Sequence, residues 1–241
     1  MNHPNHNTAV LVDGGFFLKR YRQLISKDHS AKQVADNLYQ MALSHVKEER
    51  QLYRIFYYDC LPFEKKIQHL ITHQLVDFGR TDQHHFRKEL FEELKQKRKM
   101  ALRLGFLKDS GEWSIKSDIL KKLLNGKLNL SEVKETDISY NLRQKGIDMK
   151  IGIDIATLTL KKFVDQIVLI SGDADFVPAS KLARTEGIDF ILDPMWNNID
   201  PALMEHVDGL RSACPRPSRI KLTDQVKAAD IEQRTDIEMR N

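Results

Sequence analysis

Cysteine is scarce in this 241-residue sequence: Cys60 and Cys214 are the only two, far apart. Two distant cysteines exclude a disulfide framework and a cysteine-based zinc site, and they fit a reducing cytoplasm. Long apolar runs are also missing, so no membrane-spanning helix is expected. The opening stretch, MNHPNHNTAV, has no basic segment leading into an apolar one, so no secretory signal is expected and a cytoplasmic location is. No internal repeat is visible, which removes solenoid architectures. Charge of one sign is not in large excess: 38 Lys and Arg face 34 Asp and Glu, for a net charge of +4. That balance permits a polyanionic partner without requiring one. What is present is a 41% hydrophobic fraction and a 30% charged one, enough for a proper core and a well-solvated surface.

Strand and helix patterns alternate along the chain. TAVLVDGGFF reads as a short buried strand stopping at Asp13-Gly14-Gly15. Residues 31–49 place Val34, Leu38, Met41 and His45 on one helical face. QLYRIFYYDC reads as a strand ending near Asp59. Phe86, Leu90, Leu94, Ala101 and Leu104 recur at helical spacing and predict a helix over 81–104. Residues 106–135 are read as the rest of a basic, helical insertion spanning about 81–135, with GEWSIK as a possible strand inside it. Asp154 is expected to open a helix that turns Ala156, Leu160, Phe163 and Val164 inward. QIVLIS is a continuous apolar strand of the kind buried on both faces. Pro178 lies in the first turn of another helix, and IDFILD is the next strand. This order predicts an α/β fold, a Rossmann-like three-layer α/β/α sandwich with a mostly parallel sheet, over 1–212. The charged segment 213–241 is expected to be a mobile tail.

In such sheets the working site lies beyond the carboxyl ends of the strands. Asp13 ends the first strand, and in LISGDADFVP both Asp173 and Asp175 follow the QIVLIS strand. Asp154 stands at the expected helix start before that strand, and Asp148 lies six residues before it. Clustered carboxylates raise one another's pKa and resist ionisation. A divalent cation with hard oxygen ligands removes that conflict, and Mg²⁺ or Mn²⁺ would bring phosphate chemistry. Each acid also has a plainer role: Asp175 and Asp154 as helix caps, Asp13 as a turn residue.

Three stretches, AVLVDGG, QKGIDMKIGIDIATL and VLISGDADFVP, resemble in this order the NYN domain family, a PIN-like nuclease group that includes the LabA-type, or DUF88, bacterial proteins. The resemblance implies Mg²⁺- or Mn²⁺-dependent hydrolysis of RNA, with single-stranded DNA as another possible partner. By motif it makes Asp13 the first-strand acid, Asp148 the acid of KGID, Asp154 the acid opening the next helix, and Asp173 and Asp175 the acids of SGDADF. Asp13, Asp154 and Asp173 are the expected metal ligands, and Asp148 and Asp175 support them or hold a second ion. Lys145 is expected to hold phosphate, and Ser171 with Gly172 to let backbone approach the site. Many relatives carry Asp-Gly-x-Asn at the first strand; this chain has Phe16 where that asparagine would be.

Lys95, Lys97, Arg98 and Lys99 are the expected phosphate-binding run, the plainer reading being a solvated helix face. Tyr21, Trp113 and Trp196 are offered for stacking on unpaired bases, although aromatics are more often core or rim. No membrane partner is expected, and pairing into a homodimer is possible. Two other functions compete with a ribonuclease. One is an inactive NYN-fold module that binds RNA or protein. The other is a phosphatase using DADFV as a nucleophile motif, which lacks the downstream residues that chemistry needs.

Overall fold

A computed structural model describes residues 6–217. The elements in order are β1 (Asn7–Asp13), α1 (Gly14–Leu24), α2 (Ala31–Ser44), β2 (Gln51–Cys60), β3 (Lys66–Gln68), β4 (Leu75–Asp77), α3 (Asp82–Lys95), β5 (Met100–Ile115), α4 (Ser117–Leu124), β6 (Ile138–Lys145), α5 (Ile147–Leu160), β7 (Gln166–Ile170), α6 (Val177–Thr185), β8 (Asp189–Asp193), α7 (Pro201–Met204) and β9 (Gly209–Leu210).

Seven strands form one sheet in the order β6-β5-β2-β1-β7-β8-β9, and β3 pairs with β4 in a separate hairpin. All neighbours in the large sheet run parallel except β5 and β6. Alternation along the strands supplies two cores. Val10, Val12, Ile55, Tyr57, Val168 and Ile170 face α1, α2 and α3. Ala9, Leu11, Phe56, Tyr58, Ile167 and Leu169 face α5 and α6. The result is the expected three-layer α/β/α sandwich. From β1 the chain builds outward to β2 and β5, then returns to add β7 on β1's other side. The β1–β7 boundary is therefore the topological switch point, where a crevice opens beyond the strand ends.

Several boundaries differ from the sequence reading. The helix expected to run to 104 ends at Lys95, and β5 begins at Met100. Met100, Leu102 and Leu104 alternate toward one core while Ala101 faces the other, a period of two rather than 3.6. Nor is α3 part of an insertion: Leu90, Phe91 and Leu94 are buried in the main core. The element that extends the fold is instead the far half of β5 paired antiparallel with β6. Helix α5 starts at Ile147, not at Asp154, because Gly146 sits at its N-cap with φ of 80°. A left-handed residue there suits glycine. The stripe Ile147, Ile151, Ile155 and Leu158 then buries its face, leaving Leu160 and Phe163 exposed. Residues 213–214 belong to the fold rather than to a tail, with Cys214 buried and its carbonyl accepting the Trp196 Nε1–H at 2.9 Å; residues 218–241 lie outside the described residues. Among the described residues no helix is long and apolar enough to cross a membrane.

Candidate acidic site at the sheet switch point

Asp13 is the last residue of β1 and pairs in register with Tyr58, one step beyond the Val12–Ile170 pair. It caps α1: the Phe16 N–H donates to Asp13 Oδ1 at 3.1 Å. The helix can start this abruptly only because position 14 has no side chain. A β-carbon on Gly14 would stand 2.6 Å from both the Tyr57 ring and the Tyr58 carbonyl oxygen. The turn holds the Asp13 carboxyl partly buried on the face shared with α5.

From β7 a short chain of hydrogen bonds runs back to Asp13. The Asp175 N–H donates to Asp173 Oδ1 at 3.0 Å, and the Asp173 N–H to Ser171 Oγ at 3.4 Å. The Ser171 hydroxyl in turn donates to Asp13 Oδ2 at 3.5 Å. Ser171 is thus buried and spent on arranging the acids. Asp173, rather than Asp175, caps the turn that precedes α6. Asp148 joins from the first turn of α5. Burial, then the nearby charges of Asp148 and Asp59, pushes Asp13 up to about 6. Burial, then Asp173 and Asp175, also raises Asp148. Asp148 thus acts on Asp13, and Asp173 and Asp175 act on Asp148, which links the four carboxylates into one group. None of the four has a lysine or arginine within ion-pair distance among the described residues, whereas two neighbouring acids do.

One of those neighbours is Asp154, expected to be a metal ligand. Its Oδ2 accepts from the Tyr58 hydroxyl at 2.8 Å and from Arg103 Nε at 2.9 Å. Six residues of helix separate it from Asp148, a rise of about 9 Å. Asp154 is therefore an arginine-paired acid further along α5, while Asp148, which the sequence reading gave a supporting role, lies in the helix's first turn. The other is Asp59, which that reading did not single out. It is fully buried at the end of β2, bonded to Arg87 Nη1, to the Tyr57 hydroxyl at 3.2 Å and to the Cys60 N–H at 2.8 Å. Burial raises its pKa despite the arginine. Its position at a strand's carboxyl end was the available signal.

The basic run falls in the wrong place for this site. Lys99 precedes Met100, which is level with Ile55 and so with Val10. It therefore lies four residues below Asp13 along the strands, about 13 Å toward the opposite edge. Its ammonium bonds the Leu52 carbonyl, Lys97 pairs with Asp36, and Lys95 reaches Glu92 at 2.6 Å. Arg98 lies in the same turn between α3 and β5. Lys145, by contrast, is exposed at the end of β6, three residues before Asp148. Of the proposed stackers, Tyr21 is fully buried and bonded to Asn37.

Two carboxamides approach the acids from elements that sequence spacing could not connect. The Gln144 amide atoms lie 3.3 and 3.4 Å from where a Gly15 β-carbon would stand, a point 3.5 Å from Asp13 Oδ1. Asn197 Nδ2 lies 3.3 Å from the corresponding point on Gly172, which also takes the Phe16 ring at 2.8 Å. Phe16 is thus packed against the backbone of the SGDADF turn. Asn197 is carried by a strained loop: Met195 and Trp196 have φ of 46° and 59°. Left-handed non-glycine residues persist only where their surroundings hold them. Here the Met195 N–H donates to Asp193 at 2.8 Å, Arg20 donates twice to the Met195 carbonyl, and the Trp196 N–H donates to Ser212 at 3.0 Å.

An acidic crevice at the switch point of a mostly parallel sheet defines a PIN-like α/β protein. The chain belongs to the NYN domain family, whose model matches residues 88–209. The match includes Asp148, Asp154, Asp173 and Asp175 and begins after Asp13. The family is nuclease-like. No curated protein matches this chain. A crystal structure of a protein of unknown function from Vibrio parahaemolyticus is similar over 88% of this chain and 96% of its own, at 13% identity and a TM-score of 0.46.

Proposed function

We propose that this chain is a metal-dependent ribonuclease acting at the crevice between β1 and β7. The observation that carries the reading is a group of four carboxylates, none with a basic partner among the described residues, with Asp13 pushed up to about 6 and Asp148 also raised. An arrangement that costs the folded chain free energy needs a positive guest to offset it. Among the described residues, no three or more His, Cys, Asp or Glu side chains converge closely enough to hold an ion between them. Mg²⁺ or Mn²⁺ does not need three direct protein ligands, since Mg²⁺ keeps several waters and takes one or two carboxylates plus phosphate oxygens. Asp13, Asp148 and Asp173 would hold it partly through its bound waters rather than as three direct ligands, and it would supply charge for phosphoryl oxygens and an acidified water, so that hydrolysis leaves a 5′-phosphate.

The chain's own groups do the rest. Ser171 fixes Asp13 relative to Asp173, and Asp175 braces Asp173 through its backbone N–H. Arg87 is tied to Asp59 through Nη1 alone, which leaves Nε and Nη2 free for a phosphate among the described residues. Lys145 adds a second cation at the rim. Gln144 and Asn197 supply amide contacts that Phe16 cannot. Cleavage of labelled single-stranded RNA in Mn²⁺ tests the reading: wild type should cut and Asp148→Asn should not. An intact substrate with wild type contradicts it.

Phe16 in place of an amide favours a second reading, a family member that binds RNA without cutting it. Equal retention of intact RNA by wild type and Asp173→Asn would select that alternative.

A further inference from the structure

A second concavity adjoins the acids. The extended β5–β6 arm, the β3–β4 hairpin and the start of α3 enclose a cavity of about 540 Å³. That is within the usual range for a site taking a small organic group. Its walls are unusually aromatic for a surface feature. Trp113 meets the Tyr140 ring edge-on at 5.3 Å, and Phe63 meets Phe78 at 5.2 Å and Tyr140 at 5.9 Å. His69 also lines it, its ring 4.6 Å from Trp113. Its Nδ1 accepts the N–H groups of Ile71 and Thr72, each at 3.3 Å. With Nδ1 accepting, the imidazole carries its proton on Nε2, which has no protein partner among the described residues and stays open to the cavity rather than sealed in the core. Gln144 and Arg87 line the same cavity. They are the side chains that reach toward Asp13 and Asp59, so cavity and acidic crevice share a wall.

We propose that this cavity is a nucleobase subsite: an unpaired base of the bound strand leaves its stack, lies against Trp113 and Tyr140, and accepts a hydrogen bond from His69 Nε2. The shared wall sets the polarity of the ligand. Its apolar, π-faced end lies in the cavity, and its phosphate lies by Arg87, toward the acids. An apolar peptide would have no use for a guanidinium at that junction, whereas a nucleotide has both halves of the match. Stacking on aromatic faces tolerates every base, so the subsite selects single-stranded over paired RNA before it selects sequence.

The inference rests on the ribonuclease reading for the identity of the strand, and one pair of ligands separates the two. A short single-stranded oligoribonucleotide and its fully abasic counterpart carry the same phosphates. Their affinities for the intact protein are compared by fluorescence anisotropy with Ca²⁺ in place of Mn²⁺, and cleavage of the intact strand is followed separately in Mn²⁺. Wild type should prefer the base-bearing strand by between about five- and a hundredfold, the usual worth of a base–aromatic stack. Trp113→Ala should erase most of that preference, and Trp113→Phe, which keeps a ring in place, should retain it. Equal affinity for the two strands overturns the subsite, and if cleavage persists it leaves the nuclease reading standing. A base preference that survives Trp113→Ala in a folded protein also overturns it. A base preference that Trp113→Ala erases, without cleavage in Mn²⁺, keeps the subsite and sinks the nuclease. No binding of either strand sinks both.

Discussion

The two edges of the central sheet carry opposite charges and have opposite accounts of them. At the carboxyl edge, Asp148 raises Asp13, and Asp173 and Asp175 raise Asp148, with no basic partner for any of the four among the described residues. At the amino edge, Lys95, Lys97 and Lys99 each have a carboxylate or a carbonyl to bond. A charge left without a partner where a partner was available elsewhere marks a place for a ligand; a satisfied charge marks solvated structure. Local composition gives no way to tell these apart. The sequence offered both the acids as a metal site and four basic residues within five as a phosphate contact, and the contacts satisfy the basic run while leaving the acids without a basic partner among the described residues.

The contrast can be tested by removing charges one at a time. The largest effect is expected at the seam between the acids and the cavity. Arg87→Ala leaves Asp59 buried without its cation and should lower stability by about 3–5 kcal/mol in chemical denaturation, whatever it does to activity. Next, Asp148→Asn should reduce Mn²⁺-dependent RNA cleavage a hundredfold or more, since a metal's charge stabilisation amounts to several kcal/mol. The same substitution should leave the thermal midpoint in EDTA unchanged or raised, because it removes one of four repelling charges.

The pH dependence of the metal-free protein follows with the sign fixed by Asp13. Its folded pKa of about 6 lies above its ordinary value of 3.8, so the fold holds a proton that the unfolded chain releases. Stability from this group is therefore full below about pH 4 and lost as pH rises through about 6, by roughly 2–3 kcal/mol. Thermal melts in EDTA across that window should show the fall, and Asp13→Asn should flatten it. Asp154→Asn comes lower on the scale. It gives up a half-exposed arginine pair for about 1 kcal/mol of stability and should leave cleavage within a few-fold of wild type. Smallest of all, Lys97→Ala should change stability by no more than about 1 kcal/mol and leave the salt dependence of RNA binding untouched.

Most of the architecture was legible because single elements announced it. Val34, Leu38 and Met41 marked the buried face of α2, and the continuous apolar run of β7 is buried on both sides. Asp13, Asp173 and Asp175 were legible as candidates because strand ends deliver them to one edge, whereas Asp148 was read only as a supporting acid six residues before a helix start at Asp154. Asp154 was taken for the opening of the helix because the start of α5 is set by a left-handed glycine, while an aspartate eight residues on has the look of a cap. Gln144 and Asn197 were not legible at all. One lies on an antiparallel strand far along the sheet and the other on a strained loop, and only the closed fold brings either beside Asp13 or Gly172. The same is true of the aromatic cavity: Phe63, Phe78, Trp113 and Tyr140 come from three separate segments.

The claim beneath all of this is that the acids at the switch point exist to hold a cation, with Asp148 and not Asp154 contributing from α5. Calorimetric titration of Mn²⁺ into wild type, Asp148→Asn and Asp154→Asn tests it directly. Wild type and Asp154→Asn should bind alike, and Asp148→Asn should lose tenfold or more in affinity. Loss of binding in Asp154→Asn with Asp148→Asn unaffected, or no binding by wild type, would contradict it.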